Sequence, residues 1–227
     1  MELDDTLDNY IRKTIDFHGC FQKAPGVVIG CYMVEYALEL LGDFNGYMNA
    51  VVETRVCLSD CVQMMTGCTY GNKAMWVREG IGRYATTLYD RDTKEGVRVF
   101  LDIDKVDKVE FPDLHAFHLR QRDPKVLTDT AFRKKSGEKV VQQFLQLKRD
   151  ALSFEYIAVT LPRKGPMHPS VRCESCGEPF LKPEDRASGQ CPSCTGEMSY
   201  YDKRDPASIE ADRPVKSGGG SKTCSTR

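Results

Sequence analysis

The sequence lacks an excess of charge of either sign. Its 227 residues contain 32 lysines and arginines and 33 aspartates and glutamates. Because the net charge is small, the whole molecule is not drawn to a polyanion, and nucleic-acid binding is not expected. Residues 119–150 depart from this balance, with nine basic and four acidic side chains. A solvated helical face is the common cause of such a local excess.

Long hydrophobic runs and a targeting segment are also missing. The longest apolar stretch, around residues 27–41, is interrupted by Glu35 and Glu39 and is too short to cross a bilayer. The first residues, Met-Glu-Leu-Asp-Asp, lack the apolar core of a signal peptide. These absences predict a cytoplasmic protein with no membrane partner. In a reducing cytoplasm, cysteines are more often metal ligands, reactive thiols or core residues than disulfides.

Two further absences concern chemistry. The sequence contains no glycine-rich loop that would cradle a phosphate and no Ser/His/Asp constellation, so it names no substrate. Cysteine, in contrast, is abundant, and four of the ten cysteines read Cys173-x2-Cys176-x14-Cys191-x2-Cys194. Each CxxC turn directs two sulfurs at one point, and a short hairpin can bring both pairs around a tetrahedral zinc ion. Four thiolates saturate such an ion, so we expect a structural zinc ribbon that depends on its metal for folding.

The apolar pattern predicts an α+β fold, in which a mixed core domain with a small sheet packed by helices precedes the C-terminal zinc ribbon. The core domain is expected to span residues 1–165, the ribbon 166–203, and a glycine- and serine-rich disordered tail 204–227. Expected helices cover residues 3–17, 25–41, 59–66 and 112–149, the last broken near Pro124 and Gly137, and expected strands cover 49–56, 73–78, 84–89, 97–103 and 154–161.

The second expected helix, residues 25–41, is apolar on most of its faces and is therefore expected to be central. Gly26 and Gly30 would let a neighbouring element approach it closely. Cys31 lies within this helix and is expected to be a small core residue, as most helical cysteines are.

A second group of potential ligands lies upstream of the ribbon. His18 and Cys20 share one loop, and Cys57 and Cys61 stand four residues apart at a short predicted helix, with Cys68 just beyond it. A cysteine at a helix N-terminus meets exposed N–H groups and the positive end of the helix dipole, and both favour the thiolate. Local electrostatics therefore ranks Cys57 first among these thiols and Cys68, after the helix, last.

Four ordered segments resemble the FmdE family, the group named after a component of formylmethanofuran dehydrogenase. They are Phe17-His18-Gly19, Pro25-Gly26-Val27-Val28-Ile29-Gly30, Cys57-Leu58-Ser59-Asp60 and Thr66-Gly67-Cys68-Thr69-Tyr70-Gly71. The resemblance covers roughly residues 10–160, and the trailing ribbon is similar to that of longer members. It implies an α+β homodimer with a His/Cys metal site in the core.

The chain departs from the family's usual first motif, Phe-His-Gly-His-x-Cys-Pro-Gly. His18 matches the first histidine, Cys20 stands where the second is expected, and Ala24 replaces the cysteine before Pro-Gly. Cys57 matches the cysteine of the second motif, whereas Cys61 stands where a small residue is more usual. Either Cys20 or Cys61 could compensate for the missing cysteine, or the site could be weakened.

Three functions remain open. In the first, a core site of His18, Cys57 and Cys20 or Cys61 binds zinc or another soft transition metal, with Cys57 and His18 as candidate catalytic residues. The resemblance implies work in molybdenum- or tungsten-enzyme or one-carbon metabolism, with such an enzyme as a partner. The second is a non-catalytic accessory or scaffold protein whose ribbon docks a partner, and the third is a ribbon-dependent nucleic-acid regulator. Whether the protein is an enzyme stays undecided at this level.

Overall fold

The computed structural model describes residues 6–19, 24–43, 46–163 and 168–202. These residues belong to two compact units, one ending at Arg163 and the other comprising residues 168–202. The first unit has the mixed α+β fold expected from the sequence. The predicted tail, residues 204–227, lies outside the described residues.

The elements of the first unit alternate along the chain. Its helices are α1 Leu7–Phe17, α2 Pro25–Leu41, α3 Leu58–Thr66, α4 Pro112–His118, α5 Lys125–Thr128 and α6 Thr130–Leu147, with single 3-10 turns at Ile103–Lys105 and Lys148–Ala151. Its strands are β1 Met48–Val52, β2 Met75–Val77, β3 Ala85–Asp90, β4 Glu95–Leu101 and β5 Leu152–Ala158. The second unit contains the antiparallel pair β6 Ser170–Arg172 and β7 Pro179–Leu181.

One five-stranded sheet, ordered β2-β1-β3-β4-β5, organises the first unit. β1 pairs in parallel with β2, and all other pairs are antiparallel. β3 is the middle strand and is buried along most of its length, with Leu88 and Tyr89 fully inaccessible. The β3–β4 turn is held by the Asp90 carboxylate, which accepts the backbone N–H groups of Asp92 and Thr93 at 2.6 and 3.0 Å.

Helix α2 lies at the centre of the first unit, as its composition predicts. Ten of its 17 residues are buried, including Cys31, and it packs against α1, α3, α6 and the sheet. Gly26 and Gly30 provide the close approach to α3. A methyl group in place of their hydrogens would lie 2.9 Å from the Cys57 sulfur and 2.7 Å from the Cys61 sulfur, respectively.

Two expectations about element boundaries are corrected by the structure. The helical segment breaks near Pro124, as expected, but α6 continues through Gly137 without a break. A helix-interior glycine costs only about 1 kcal/mol, and the buried face of Val140 and Phe144 supplies enough packing to override it. β1 ends at Val52 rather than near Val56, because the chain leaves the sheet at Glu53. No helix in the described ranges is long and apolar enough to span a membrane.

Candidate functional site

The four ribbon cysteines come together in the second unit as predicted. Their sulfur atoms all lie within 4.8 Å of one another, which is close enough to hold one metal ion. Cys173 follows β6 directly, and its carbonyl accepts the Gly177 N–H at 3.0 Å, closing the first CxxC turn. The Cys191 carbonyl accepts the Thr195 N–H at 3.1 Å and closes the second. Gly177 and Gly196 complete the two turns with φ of 77° and 81°, which favour glycine.

The ribbon thiols differ in how readily they ionise. Backbone N–H groups of Cys176 and Cys191 point at the Cys173 sulfur and lower the pKa of Cys173 to about 6. Hydrogen bonds with the Cys191 and Cys176 side chains raise the pKa of Cys194 to about 12. At neutral pH the metal-free cluster therefore carries a preformed thiolate at Cys173, and metal binding must displace protons from its neighbours.

The upstream candidates converge where α1 ends and α3 begins. His18 directly follows α1, Cys57 directly precedes α3, and Asp60 lies in the first turn of α3. His18 Nδ1 lies 2.6 Å from Asp60 Oδ2, and His18 Nε2 lies 3.7 Å from Cys57 Sγ. A carboxylate accepts only, so Nδ1–H donates to Asp60, which leaves the Nε2 lone pair facing the thiol. The histidine side chain is 16% exposed, so this chain of contacts is largely shielded from solvent.

The Cys57–His18 pair has the spacing of two ligands of one metal ion. Zinc–sulfur and zinc–nitrogen bonds of about 2.3 and 2.0–2.1 Å in a tetrahedral site place the two ligand atoms about 3.6 Å apart. Metal-binding histidines usually donate their other ring N–H to a carboxylate, the role that Asp60 fills here. Among the described residues, no third cysteine, histidine or carboxylate completes a set within 4.8 Å of this pair. The residues present thus fit a partly open metal site.

The backbone at Cys57 is strained. Its φ of 36° and ψ of −53° lie where residues with a side chain are rarely found. Such a conformation costs about 1–3 kcal/mol and persists where surrounding structure enforces it, often at functional sites. The Cys57 carbonyl accepts the N–H groups of Asp60 and Cys61 at 3.1 and 3.2 Å, so the first turn of α3 fixes this geometry.

The other candidate cysteines have different surroundings. Cys61 is fully buried and its thiol donates toward the carbonyls of Val27 and Cys57, both at 3.4 Å. Burial raises the pKa of Cys61 well above its usual range, and the structure does not gather its sulfur with Cys57 and His18 within 4.8 Å. Cys68 is also buried, with a raised pKa, and Cys20 lies outside the described residues.

Cys57 also lines a cavity of about 790 Å³ within the first unit. Other residues around this cavity are Gly26, Tyr84, Arg98, Phe100, Phe117 and Arg122. The Tyr84 hydroxyl donates to the Gly26 carbonyl at 2.5 Å, and burial raises the pKa of Tyr84, which keeps the phenol neutral. Sequence reasoning missed the cavity and also missed Asp60 as the partner of His18, although Asp60 belongs to the quoted Cys57-Leu58-Ser59-Asp60 segment.

The Gly26→Ala substitution tests how closely α2 must approach Cys57. The new methyl carbon would lie 2.9 Å from Cys57 Sγ and 3.0 Å from its Cβ, so the strained cysteine would have to move. We expect a loss of about 1–3 kcal/mol in the free energy of unfolding, the usual cost of overpacking. Urea unfolding followed by the fluorescence of Trp76, the single tryptophan, measures it.

Gly137→Ala is the matched control for this substitution. An added methyl group there would meet the Pro25 ring at 3.5 Å, an ordinary contact, within the uninterrupted helix α6. Replacing a helix-interior glycine by alanine should raise the free energy of unfolding by up to about 1 kcal/mol. If both variants changed stability equally, the close approach at Gly26 would not be a constraint.

Comparisons with known proteins agree with this architecture. A family model described as "FmdE, Molybdenum formylmethanofuran dehydrogenase operon" matches residues 17–153. A crystal structure of an FmdE-like protein of tungsten formylmethanofuran dehydrogenase, from Syntrophus aciditrophicus, is similar with a TM-score of 0.66 and 30% identity. That similarity covers 88% of this chain and 100% of the solved chain.

A curated protein of Archaeoglobus fulgidus, named "Probable S-adenosyl-L-methionine-binding protein", is 30% identical over 210 residues. The match covers 86% of this chain but 54% of that protein. The chain therefore spans about half the length of the curated relative.

Proposed function

The chain belongs to the FmdE family, and from that premise we propose that it is a metal-binding protein with two sites. One is a structural zinc ion in the ribbon, and the other is a soft transition metal, such as zinc, held in the core by Cys57 and His18. The observation that carries the core site is the 3.7 Å separation of Cys57 Sγ and His18 Nε2, with Asp60 behind the imidazole.

The core residues also support chemistry at the Cys57 sulfur. With Nδ1–H donated to Asp60, His18 Nε2 can accept the thiol proton, and the Asp60 carboxylate then stabilises the imidazolium. The resulting thiolate can ligate a metal or act as a nucleophile toward a molecule in the adjoining cavity. A bound ion would supply Lewis acidity and a coordination position for solvent or substrate. On this basis Cys57 and His18 are proposed as catalytic residues.

Family membership supports a broader setting for this site. The S. aciditrophicus protein is described as FmdE-like and is named for a tungsten formylmethanofuran dehydrogenase. We extend to this chain a role beside a molybdenum or tungsten enzyme of one-carbon metabolism, as a cytoplasmic homodimer. The name of the A. fulgidus protein describes a chain of which nearly half is unmatched here, so S-adenosylmethionine binding is not carried over.

Docking of a partner by the ribbon is the second candidate function. Large apolar side chains of the second unit are exposed, with Leu181 at 65%, Met198 at 72% and Tyr200 at 90% of their surface. A ribbon whose metal shell is filled by four thiolates has no open coordination position, so such side chains are its means of contact.

Metal stoichiometry tests the two-site proposal. We expect two ions per chain in the protein loaded with zinc, one in Cys57→Ser and one in Cys194→Ser. Asp60→Asn should keep both ions but weaken the core site by about 10–100-fold, the usual effect of losing a histidine-orienting carboxylate. Inductively coupled plasma mass spectrometry and competition with a chromogenic chelator provide the count and the affinity.

Cys68→Ser is the matched control, because Cys68 belongs to neither proposed ligand set and its thiol donates to the Met48 carbonyl at 3.4 Å. It should retain both ions. Cys20→Ser and Cys61→Ser decide which cysteine, if either, compensates for the one replaced by Ala24. A wild-type chain that binds a single ion, lost only with the ribbon cysteines, would contradict the core site.

A further inference from the structure

The cavity beside Cys57 has an unusual concentration of arginine. Arg83, Arg98, Arg120 and Arg122 all line it. Two of them are neutralised by the buried carboxylate of Glu53, which accepts Arg83 Nε at 2.6 Å and Arg98 Nε at 2.7 Å. Within the described residues, no carboxylate oxygen lies within 4.0 Å of Arg120 or Arg122, and these two carry uncompensated charge.

Arg122 is placed as an anion-binding group rather than as a solvated surface side chain. It is partly buried, and its guanidinium lies over the Phe117 ring, 4.9 Å from the centroid. Burial and the nearby charge of Arg133 lower the pKa of Arg122, so a counter-ion at this position would relieve an electrostatic cost. Stacking on an aromatic ring leaves the edge of the guanidinium, with its N–H groups, free to bind a carboxylate or phosphate bidentately.

Arg120 belongs to the same segment and is held in place by its backbone. It adopts a φ of 57° immediately after α4, and its N–H donates to the Phe117 carbonyl at 3.2 Å. This turn keeps Arg120 and Arg122 on one side of the cavity wall through a short connection. Two guanidinium groups two residues apart, both lining one cavity, are suited to a single anionic group.

The rest of the wall is apolar and neutral. Phe100, Phe117, Leu119, Val126 and Leu127 supply hydrocarbon and aromatic surface. The volume of about 790 Å³ lies within the range typical of small-molecule sites, roughly 300–1,000 Å³. The wall therefore combines a cationic end with a body that favours apolar groups.

The titratable groups near Cys57 do not reverse this charge. His118 stacks edge-to-face with Tyr84, and burial lowers the pKa of His118, which keeps its imidazole neutral at neutral pH. No aspartate or glutamate lines the cavity among the described residues. A cationic ligand would therefore meet uncompensated arginines without a carboxylate to pair with.

We propose that this cavity binds a small organic anion, a carboxylate or a phosphate ester with an apolar body, whose charged group is held by Arg120 and Arg122. The body then occupies the space that Cys57 also lines, which makes this molecule the substrate or regulator of the thiolate–metal site. This last assignment rests on the proposed function, whereas anion binding itself does not require a metal.

Isothermal titration with simple probes tests the proposal on the full chain. Phenyl phosphate, benzoate and uncharged benzyl alcohol share a ring and differ in charge, and comparing the first two distinguishes a phosphate from a carboxylate ligand. We expect one of the anions to bind at least 10-fold more tightly than benzyl alcohol. Arg122→Gln should weaken that anion at least 10-fold, Arg122→Lys less, and the exposed Arg12→Gln on α1 less than 2-fold.

Three outcomes would overturn the proposal: equal binding of anion and alcohol, unchanged anion affinity in an Arg120→Gln/Arg122→Gln double variant, or tighter binding of S-adenosylmethionine than of either anion. Trp76 fluorescence during urea unfolding verifies that each variant is folded. Repeating the titration with Cys57→Ser separates the two claims. Anion binding that survives loss of the core metal supports the cavity proposal alone, and its absence in protein with both metals bound overturns the cavity proposal alone.

Discussion

Replacing Cys173 by serine is expected to unfold the second unit and to leave the first unit folded. This is the largest effect that we predict, because metal binding contributes about 10–16 kcal/mol to the folding of zinc-finger-sized modules. Residues 168–202 contain only two short strands, β6 and β7, and Cys173 is the one buried apolar residue among them. The unit therefore has almost no core of its own to replace the metal.

Amide NMR spectra distinguish the two units in this experiment. In Cys173→Ser, the amide resonances of residues 168–202 should collapse to random-coil shifts, while Trp76 in the first unit keeps its native fluorescence. Ser193→Ala is the control within the same ribbon, since its side chain supplies no ligand, and it should leave the spectrum unchanged. Retention of dispersed ribbon resonances in Cys173→Ser, or after chelation, would show that the ribbon folds without metal.

The Glu53→Gln substitution should have the second largest effect, a loss of about 3 kcal/mol in the free energy of unfolding. The Glu53 side chain is 8% exposed and binds Arg98, which is 12% exposed, as well as Arg83. Removing one partner of a buried ion pair costs about 3–5 kcal/mol because the other charge remains desolvated. Arg98 keeps a contact to Glu155 at 3.0 Å, which places the expected loss at the lower end.

Glu79→Gln is the matched control for Glu53→Gln. Glu79 pairs with Arg55 at 3.2 Å, but both side chains are more than half exposed. Exposed ion pairs contribute about 0–1 kcal/mol, so this variant should be nearly as stable as the wild type. Equal destabilisation by the two substitutions would contradict a special role for the buried pair beside the cavity.

The effect of Glu53→Gln should depend on pH in a defined direction. Burial alone would raise the pKa of Glu53, but hydrogen bonds and charge from Arg98 and Arg83 outweigh burial and leave the pKa below its ordinary value. A carboxyl with a lowered folded-state pKa stabilises the protein above its unfolded pKa of about 4.3 and loses this contribution as pH falls through the folded-state value. The stability difference between wild type and variant should therefore be constant near neutrality and shrink in acid.

The parts of the structure that can be predicted from sequence depend on local patterns. The ribbon follows from two CxxC turns, and α2 follows from Pro25 at its first position and Gly42 at its end. The resemblance to the FmdE family is confirmed by the family match over residues 17–153. Gly26 and Gly30 are predictable as points of close approach because small residues in an apolar helix have few other uses.

The rest depends on contacts between distant segments. Asp60 and His18 are 42 residues apart, and no periodicity links them, so their 2.6 Å contact cannot be derived from sequence. The cavity draws residues from α2, the segment after β1, β4 and the connection after α4. The basic excess in residues 119–150 favours a solvated face as its explanation, yet Arg120 and Arg122 of that segment line the cavity.

Anomalous diffraction from crystals grown with excess zinc tests the central claim most directly. Difference maps calculated from data above and below the zinc edge should show two ions per chain. One should lie among Cys173, Cys176, Cys191 and Cys194, and the other within bonding distance of Cys57 Sγ and His18 Nε2. A single peak in the ribbon, with no density between Cys57 and His18, would contradict the core metal site.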